Sequence, residues 1–174
     1  MPSNINEKSI RHESPEELVK RISAAKAKAV AKTITETTEP KEPTLIIAGD
    51  VVVVVKQNQK PLILEKPETK EEAIKMLTLL SGKTFDVVAG LAVFNTKTNA
   101  LTTDADTCEV TFRNLTKEEI IDYATRCPLT RYAGAFEENG LQRFSTKING
   151  SPSTIVGLPM QKLIPLLRKE GVAI

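Results

Sequence analysis

Few of the side chains that usually carry enzyme chemistry occur in this 174-residue chain. There is one histidine, His12, with two cysteines, Cys108 and Cys127, and no tryptophan. A Cys/His zinc set lacks its ligands, and a disulfide framework lacks its partners. Nucleophilic triads are left without a ready histidine base. Neither G-x-G-x-x-G nor G-x-x-x-x-G-K-[ST] is present, so the dinucleotide fingerprint and the P-loop are both excluded. What remains is chemistry by carboxylates and lysines, with a hard metal such as Mg²⁺ that takes oxygen ligands and bridges phosphates. The polar residues placed at structural interruptions are Glu7, Lys26, Asp50, Lys66 before Pro67, and the run Glu137-Glu138-Asn139. Each also has a plain reading: Glu7 as a solvated tail residue, Lys26 and Lys66 as surface lysines, Asp50 as a turn acid. From chemistry alone the chain is a globular α/β domain with a bias toward handling phosphate.

The elements that must hold these residues can be read from pattern. Ser14-Pro15-Glu16-Glu17 is a capping signal for a helix over 14–35, with Leu18, Ile22, Ala25, Ala29 and Ile34 near one stripe and Lys20, Lys26, Lys28 and Lys32 beside it as a solvated face. The proline-bearing segment 35–43 should end that helix. TLIIAGDVVVVV is a β-branched run expected to be a strand buried on both faces. Glycine within it marks a bulge or a close approach, which puts Asp50 at an interruption between Ala48-Gly49 and five valines. A polar turn over 56–60 and the short strand PLILEKP complete a hairpin. Helices are expected over 69–82 and from Thr116 to Cys127-Pro128, each opened by a T-K-E-E box. Between them TFDVVAGLAVFN and TTDADTCEVTFRNL form a hairpin turning at Lys97-Thr98-Asn99. RYAGAFEENG reads as a loop, LQRFSTKING as a strand, and 158–170 as an amphipathic helix stopped by Gly171.

Composition narrows the function classes. Hydrophobic residues make up 40% and charged residues 26%, which suits one folded domain with a sizeable core. The 24 Lys+Arg against 22 Asp+Glu leave a net charge of +2, too little for binding nucleic acid or an anionic membrane by charge alone. The longest apolar run, around Val51 to Val55, is far short of the ~20 residues a bilayer requires, and the first residues hold no apolar signal segment. The sparse cysteines fit a reducing cytoplasm.

Taken in order, INEKSIRHESPEELVKRISAAKAKAVA, LIIAGDVVVV, LEKPETKEEAIKMLTLLSGKT, AGLAVFN, VTFRNLTKEEIIDY, PLTRYAGAFEENG and STIVGLPMQKLIPLLRKEG resemble the Maf-like nucleoside triphosphate pyrophosphatases over almost the whole chain. AGLAVFN, AGAF and ESPEELV look more like the branch assigned to 7-methyl-GTP than the one assigned to dTTP and UTP. The resemblance implies an α/β fold with an elongated mixed sheet flanked by helices, in two lobes around a cleft. It also implies hydrolysis of the α,β-phosphoanhydride to a nucleoside monophosphate and pyrophosphate with a divalent cation, Mg²⁺ or Mn²⁺. Asp50 matches the family aspartate of the G-[AS]-D motif, which acts as proton acceptor. Lys66 matches the K-P lysine, Lys26 the K-A lysine, and Glu7 the glutamate of a D-E pair that completes the metal site with Asp50. Val51 and Asn139 stand at positions that select the base. The implied partner is the nucleoside triphosphate itself, and a homodimer is compatible.

Three departures accompany the match. The resemblance implies that the family's opening strand and phosphate loop, of the form ASxSPRRxxLL, are missing ahead of a single domain over 1–174. Asn6 replaces the aspartate of the D-E pair. Val51 and Asn139 replace a polar residue and a glutamate or glutamine. Two classes of function stay open at this level: a pyrophosphatase, and a shortened relative that binds nucleotides or partners without turning them over.

Overall fold

In the computed structural model, residues 1–37, 43–57 and 60–174 are described. The elements are α1 (Pro15–Thr37), β1 (Leu45–Val55), β2 (Leu62–Leu64), α2 (Lys70–Leu80), β3 (Thr84–Asn95), β4 (Ala100–Phe112), α3 (Lys117–Arg126), α4 (Glu138–Phe144), β5 (Ser145–Asn149), α5 (Pro152–Ile155) and α6 (Met160–Lys169). The strands form one sheet in the order β2-β1-β3-β4-β5. The expected α/β class with flanking helices holds. The sheet is antiparallel where a mixed one was implied: Val53 pairs with Leu64, Val110 with Ile148, and the Thr96 N–H at the end of β3 donates to the Thr44 carbonyl at the start of β1. No helix among the described residues is long and apolar enough to cross a membrane.

The chain divides into two compact units. One comprises Met1–Asp50, Ala89–Asp106 and Gly157–Ile174, the other Val51–Val88 and Thr107–Val156. In the first unit, Ala27 and Ala31 of α1 pack with Ile46 and Ala92, while Leu163 and Leu166 of α6 pack with Leu91 and Val93. In the second, Phe85, Phe112, Phe136, Phe144 and Tyr123 form a chain of edge-on and tilted rings, with Phe85–Phe112 at 4.8 Å and Tyr123–Phe144 at 4.9 Å between centroids. Such pairs add about 0.5–1.5 kcal/mol each beyond burial.

Several expected elements are corrected. β1 runs through Ala48-Gly49-Asp50 as one strand, Leu45–Val55. The close approach is the reason for the glycine: a Cβ on Gly49 would lie 2.6 Å from the Gly157 carbonyl oxygen. RYAGAFEENG and LQRF are not a loop and a strand. Two 3₁₀ turns, Leu129–Arg131 and Ala133–Ala135, lead into α4, and only 145–149 is strand. The short helix is hidden in sequence because Glu137 caps it without a side-chain bond and Gly140 sits inside it, where a Cβ would overlap the Tyr123 hydroxyl. The last helix is α6, preceded by the separate turn α5. The proposed turn over 56–60 and the helix-ending segment 35–43 lie partly outside the described residues.

Capping chemistry behaves as read. Thr69 and Thr116 accept from the backbone N–H of Glu72 and Glu119, and Thr116 with Glu119 completes a reciprocal capping box. Along α1 the buried residues are Leu18, Val19, Ile22, Ser23, Ala27 and Ala31, a stripe turned from the one expected, which leaves Ala25, Ala29 and Ile34 only half-buried. The helix can lie this close to β3 because Gly90 has no side chain: a Cβ there would sit 2.5 Å from the Val19 carbonyl carbon and 2.6 Å from its oxygen. Both clashing atoms are backbone and cannot rotate away. Gly90→Ala is therefore expected to lower stability by about 1–3 kcal/mol, the usual cost of overpacking. Urea unfolding checks this, and an unchanged midpoint would show that α1 shifts freely.

Candidate active site

Three of the residues singled out in sequence meet in the first unit. Lys26, at the middle of α1, extends its ammonium to Asp50 Oδ1 at 2.7 Å, to Glu7 Oε1 at 3.1 Å and to the Gly49 carbonyl at 3.5 Å. It is not part of the solvated lysine face expected for α1. Its side chain is 15% exposed and that of Asp50 9%, whereas Glu7 keeps 38%. Glu7 opens a single 3₁₀ turn, Glu7–Ser9, held by the Ser9 hydroxyl donating to the Asn6 carbonyl at 2.7 Å and the Ile10 N–H donating to the Glu7 carbonyl at 3.1 Å. Asn6 contributes its backbone to that turn, and its side chain is exposed.

Burial by itself would lower the Lys26 pKa, yet the carboxylates of Asp50 and Glu7 outweigh it and hold the pKa above the usual lysine value. The group is therefore a cation clasped between two anions. This geometry decides whether the implied divalent metal suits the residues. Two carboxylates converge on one point of positive charge, and Mg²⁺ takes one or two carboxylates while leaving its other positions to water and phosphate. The pair fits. Among the described residues no cluster of three or more His, Cys, Asp or Glu gathers as a fuller cage.

The second unit holds a cavity of about 630 Å³, within the range of small-molecule sites. Its apolar lining includes Val51, Val53, Val87 and Phe136, and its polar groups are Lys66, Arg131, Tyr132, Glu137, Glu138 and Gln142. Lys66 and Val51 thus line this cavity. The backbone just before Lys66 is held where the Gly134 N–H donates to the Glu65 carbonyl at 3.2 Å. Asn139 lies in the first turn of α4, exposed and outside the lining. The sequence reading missed Arg131, Tyr132 and Gln142 altogether and gave Glu137 and Glu138 no role of their own. Four polar residues within 137–142 at helical spacing were the available signal, obscured by reading that stretch as a loop.

Glu137 is the best-anchored carboxylate of the cavity. Its Oε1 accepts from the Cys127 thiol at 3.4 Å, and its backbone N–H donates to the Tyr123 hydroxyl at 3.1 Å. The Tyr132 hydroxyl also donates to its side chain, and this bond raises the Tyr132 pKa above 10.0. Tyr123 is pushed up to about 12, chiefly by burial. The chain contains two tyrosines and no tryptophan, so its near-ultraviolet titration reports these groups alone. Because both folded pKa values exceed that of the unfolded chain, the unfolded state loses its protons first and stability falls as pH rises beyond 10. The native protein should therefore titrate Tyr123 at about pH 12 and Tyr132 above the usual tyrosine range, and Glu137→Gln should move one of the two steps down. A full two-tyrosine step centred at pH 10 would contradict this geometry.

With a clasped ion group in one unit and a lined cavity in the other, the comparisons with known proteins become informative. The family model described as "Maf-like protein" matches residues 1–170. A 7-methyl-GTP pyrophosphatase of Idiomarina loihiensis is 38% identical over 171 residues, covering 97% of this chain and 82% of the relative. That of Vibrio parahaemolyticus is 37% identical over 164 residues, covering 93% and 79%. A dTTP/UTP pyrophosphatase of Clostridium perfringens is 36% identical over 174 residues, covering 99% and 85%. A family match over residues 1–170, with relatives at 36–38% identity over nearly the whole chain, means that this chain belongs to the Maf-like protein family.

Proposed function

We propose that the protein is a nucleoside triphosphate pyrophosphatase that hydrolyses the α,β-phosphoanhydride of 7-methyl-GTP, giving the nucleoside monophosphate and pyrophosphate. The observation that carries this reading is the Glu7–Lys26–Asp50 group, a little-exposed aspartate paired at 2.7 Å with a lysine in a family whose named relatives are pyrophosphatases. Asp50 takes the proton from the attacking water. Lys26 offsets the negative charge that moves toward the leaving pyrophosphate, and Lys66 would hold phosphate where it lines the cavity. Glu7 and Asp50 would hold a divalent cation, Mg²⁺ or Mn²⁺, which when bound neutralises phosphate charge and makes water a better nucleophile.

The choice of base rests on the cavity. A carboxylate accepts hydrogen bonds and donates none, and Glu137 keeps acceptor sites beyond those used by Cys127 and Tyr132. The guanine edge offers an N–H and an amino group side by side. The uracil or thymine edge places carbonyl oxygens on either side of one N–H, so a carboxylate faces repulsion there. A methylated, cationic purine gains further from two nearby acids. This supports the 7-methyl-GTP branch over the dTTP/UTP branch and moves base reading from Asn139, which lies outside the lining, to Glu137 with Glu138.

Two measurements test the reading. Asp50→Asn preserves shape and removes the base, so pyrophosphate release should fall by about 10²-fold or more; equal turnover would take Asp50 out of the chemistry. Glu137→Gln should reduce the preference for 7-methyl-GTP over UTP by roughly tenfold, the worth of one hydrogen bond to a charged group. If that ratio stays flat across a nucleotide panel, the base is read elsewhere.

A further inference from the structure

We infer that Lys26 is the resident counter-ion of the Glu7–Asp50 pair, and that it must leave this position for a divalent cation to bind, which frees its ammonium for the substrate's phosphates. The inference rests on the pyrophosphatase reading only for the second half; the exchange itself is a property of the ion group.

The geometry leaves little alternative. The ammonium lies 2.7 Å from Asp50 Oδ1 and 3.1 Å from Glu7 Oε1, so it occupies the point toward which both carboxylates are directed. A dication bound to the same two oxygens would stand within ion-pair distance of that positive charge, in a site where Asp50 is 9% exposed and solvent screens weakly. Like charges at that separation are strongly unfavourable, so one must move. Lys26 can. Its four-carbon stem is flexible, and the third contact, to the Gly49 carbonyl at 3.5 Å, is long. Without a metal, the lysine offsets one of the two negative charges and sits directly on the little-exposed Asp50. One residue thus serves two anions in turn, the carboxylate pair first and a phosphate afterwards. Metal affinity in the resting protein is then set by competition with an internal cation, and the carboxylates alone do not determine it.

The test uses the full chain with Mn²⁺ alone as the probe, at fixed ionic strength and without nucleotide. Titration calorimetry compares the parent with Lys26→Met and Asp50→Asn. Lys26→Met should bind Mn²⁺ about tenfold or more tightly, because a unit charge within ion-pair distance has been removed, and Asp50→Asn should lose binding. Equal or weaker Mn²⁺ binding by Lys26→Met, or no binding to either protein, overturns the inference. Should Lys26→Met fail to fold, the parent labelled with ¹⁵N-lysine gives the answer. Its hydrogen-bonded Lys26 ammonium resonance should move to the free-lysine position as Mg²⁺ saturates. A resonance that stays in place at saturation shows that metal and lysine do not compete. Since no nucleotide enters these measurements, loss of the pyrophosphatase reading would appear separately, as absent hydrolysis with the ion exchange intact.

Discussion

The ion pair of Asp50 with Lys26, 2.7 Å between side chains only 9% and 15% exposed, ties a strand to a helix. Much of the first unit can be understood as the means of bringing them together. The two lie 24 residues apart, on a helix and a strand. Helix α1 approaches β3 because Gly90 leaves room for the Val19 backbone, and the chain at Gly157 presses against β1 because Gly49 leaves room for a carbonyl. Glu7 arrives from a third segment, on one 3₁₀ turn. Removing one partner leaves the other without its counter-charge, so the group constrains all three segments at once.

In the second unit the corresponding constraint is aromatic. Phe136 belongs both to the ring cluster and to the cavity lining, so the wall that would meet a ligand is continuous with the core. Tyr123 joins that cluster with its ring and accepts the Glu137 N–H with its hydroxyl. Gly140 makes space for that hydroxyl inside α4. The cavity carboxylate is therefore held by packed groups, which is how a polar contact acquires selectivity: its orientation is settled before a ligand arrives. Departure from the family pattern at Asn139 does not disturb this, because Asn139 is exposed and the lining carboxylates precede it.

Local chemistry by itself determined a good deal of this protein. The T-K-E-E boxes fixed the starts of α2 and α3, because capping is a matter between neighbours in sequence. Alternation and β-branched runs located β1, β3 and β4. The shortage of histidine and cysteine confined the chemistry to carboxylates and lysines, and the ordered motifs marked Asp50, Lys26, Lys66 and Glu7. Only the tertiary structure decided that three of these form one ion group, that Lys26 belongs to it and not to the solvated face of α1, and that Val51 and Lys66 line a cavity while Asn139 does not. It also decided that Gly49 is required by a close backbone contact in an unbroken strand, and that 138–144 is a helix. The physical reason is common to these cases. Capping and periodicity are written within a few residues, whereas burial, charge compensation and steric room depend on which distant segment packs opposite, and a short helix without a side-chain cap forms only when that packing supports it.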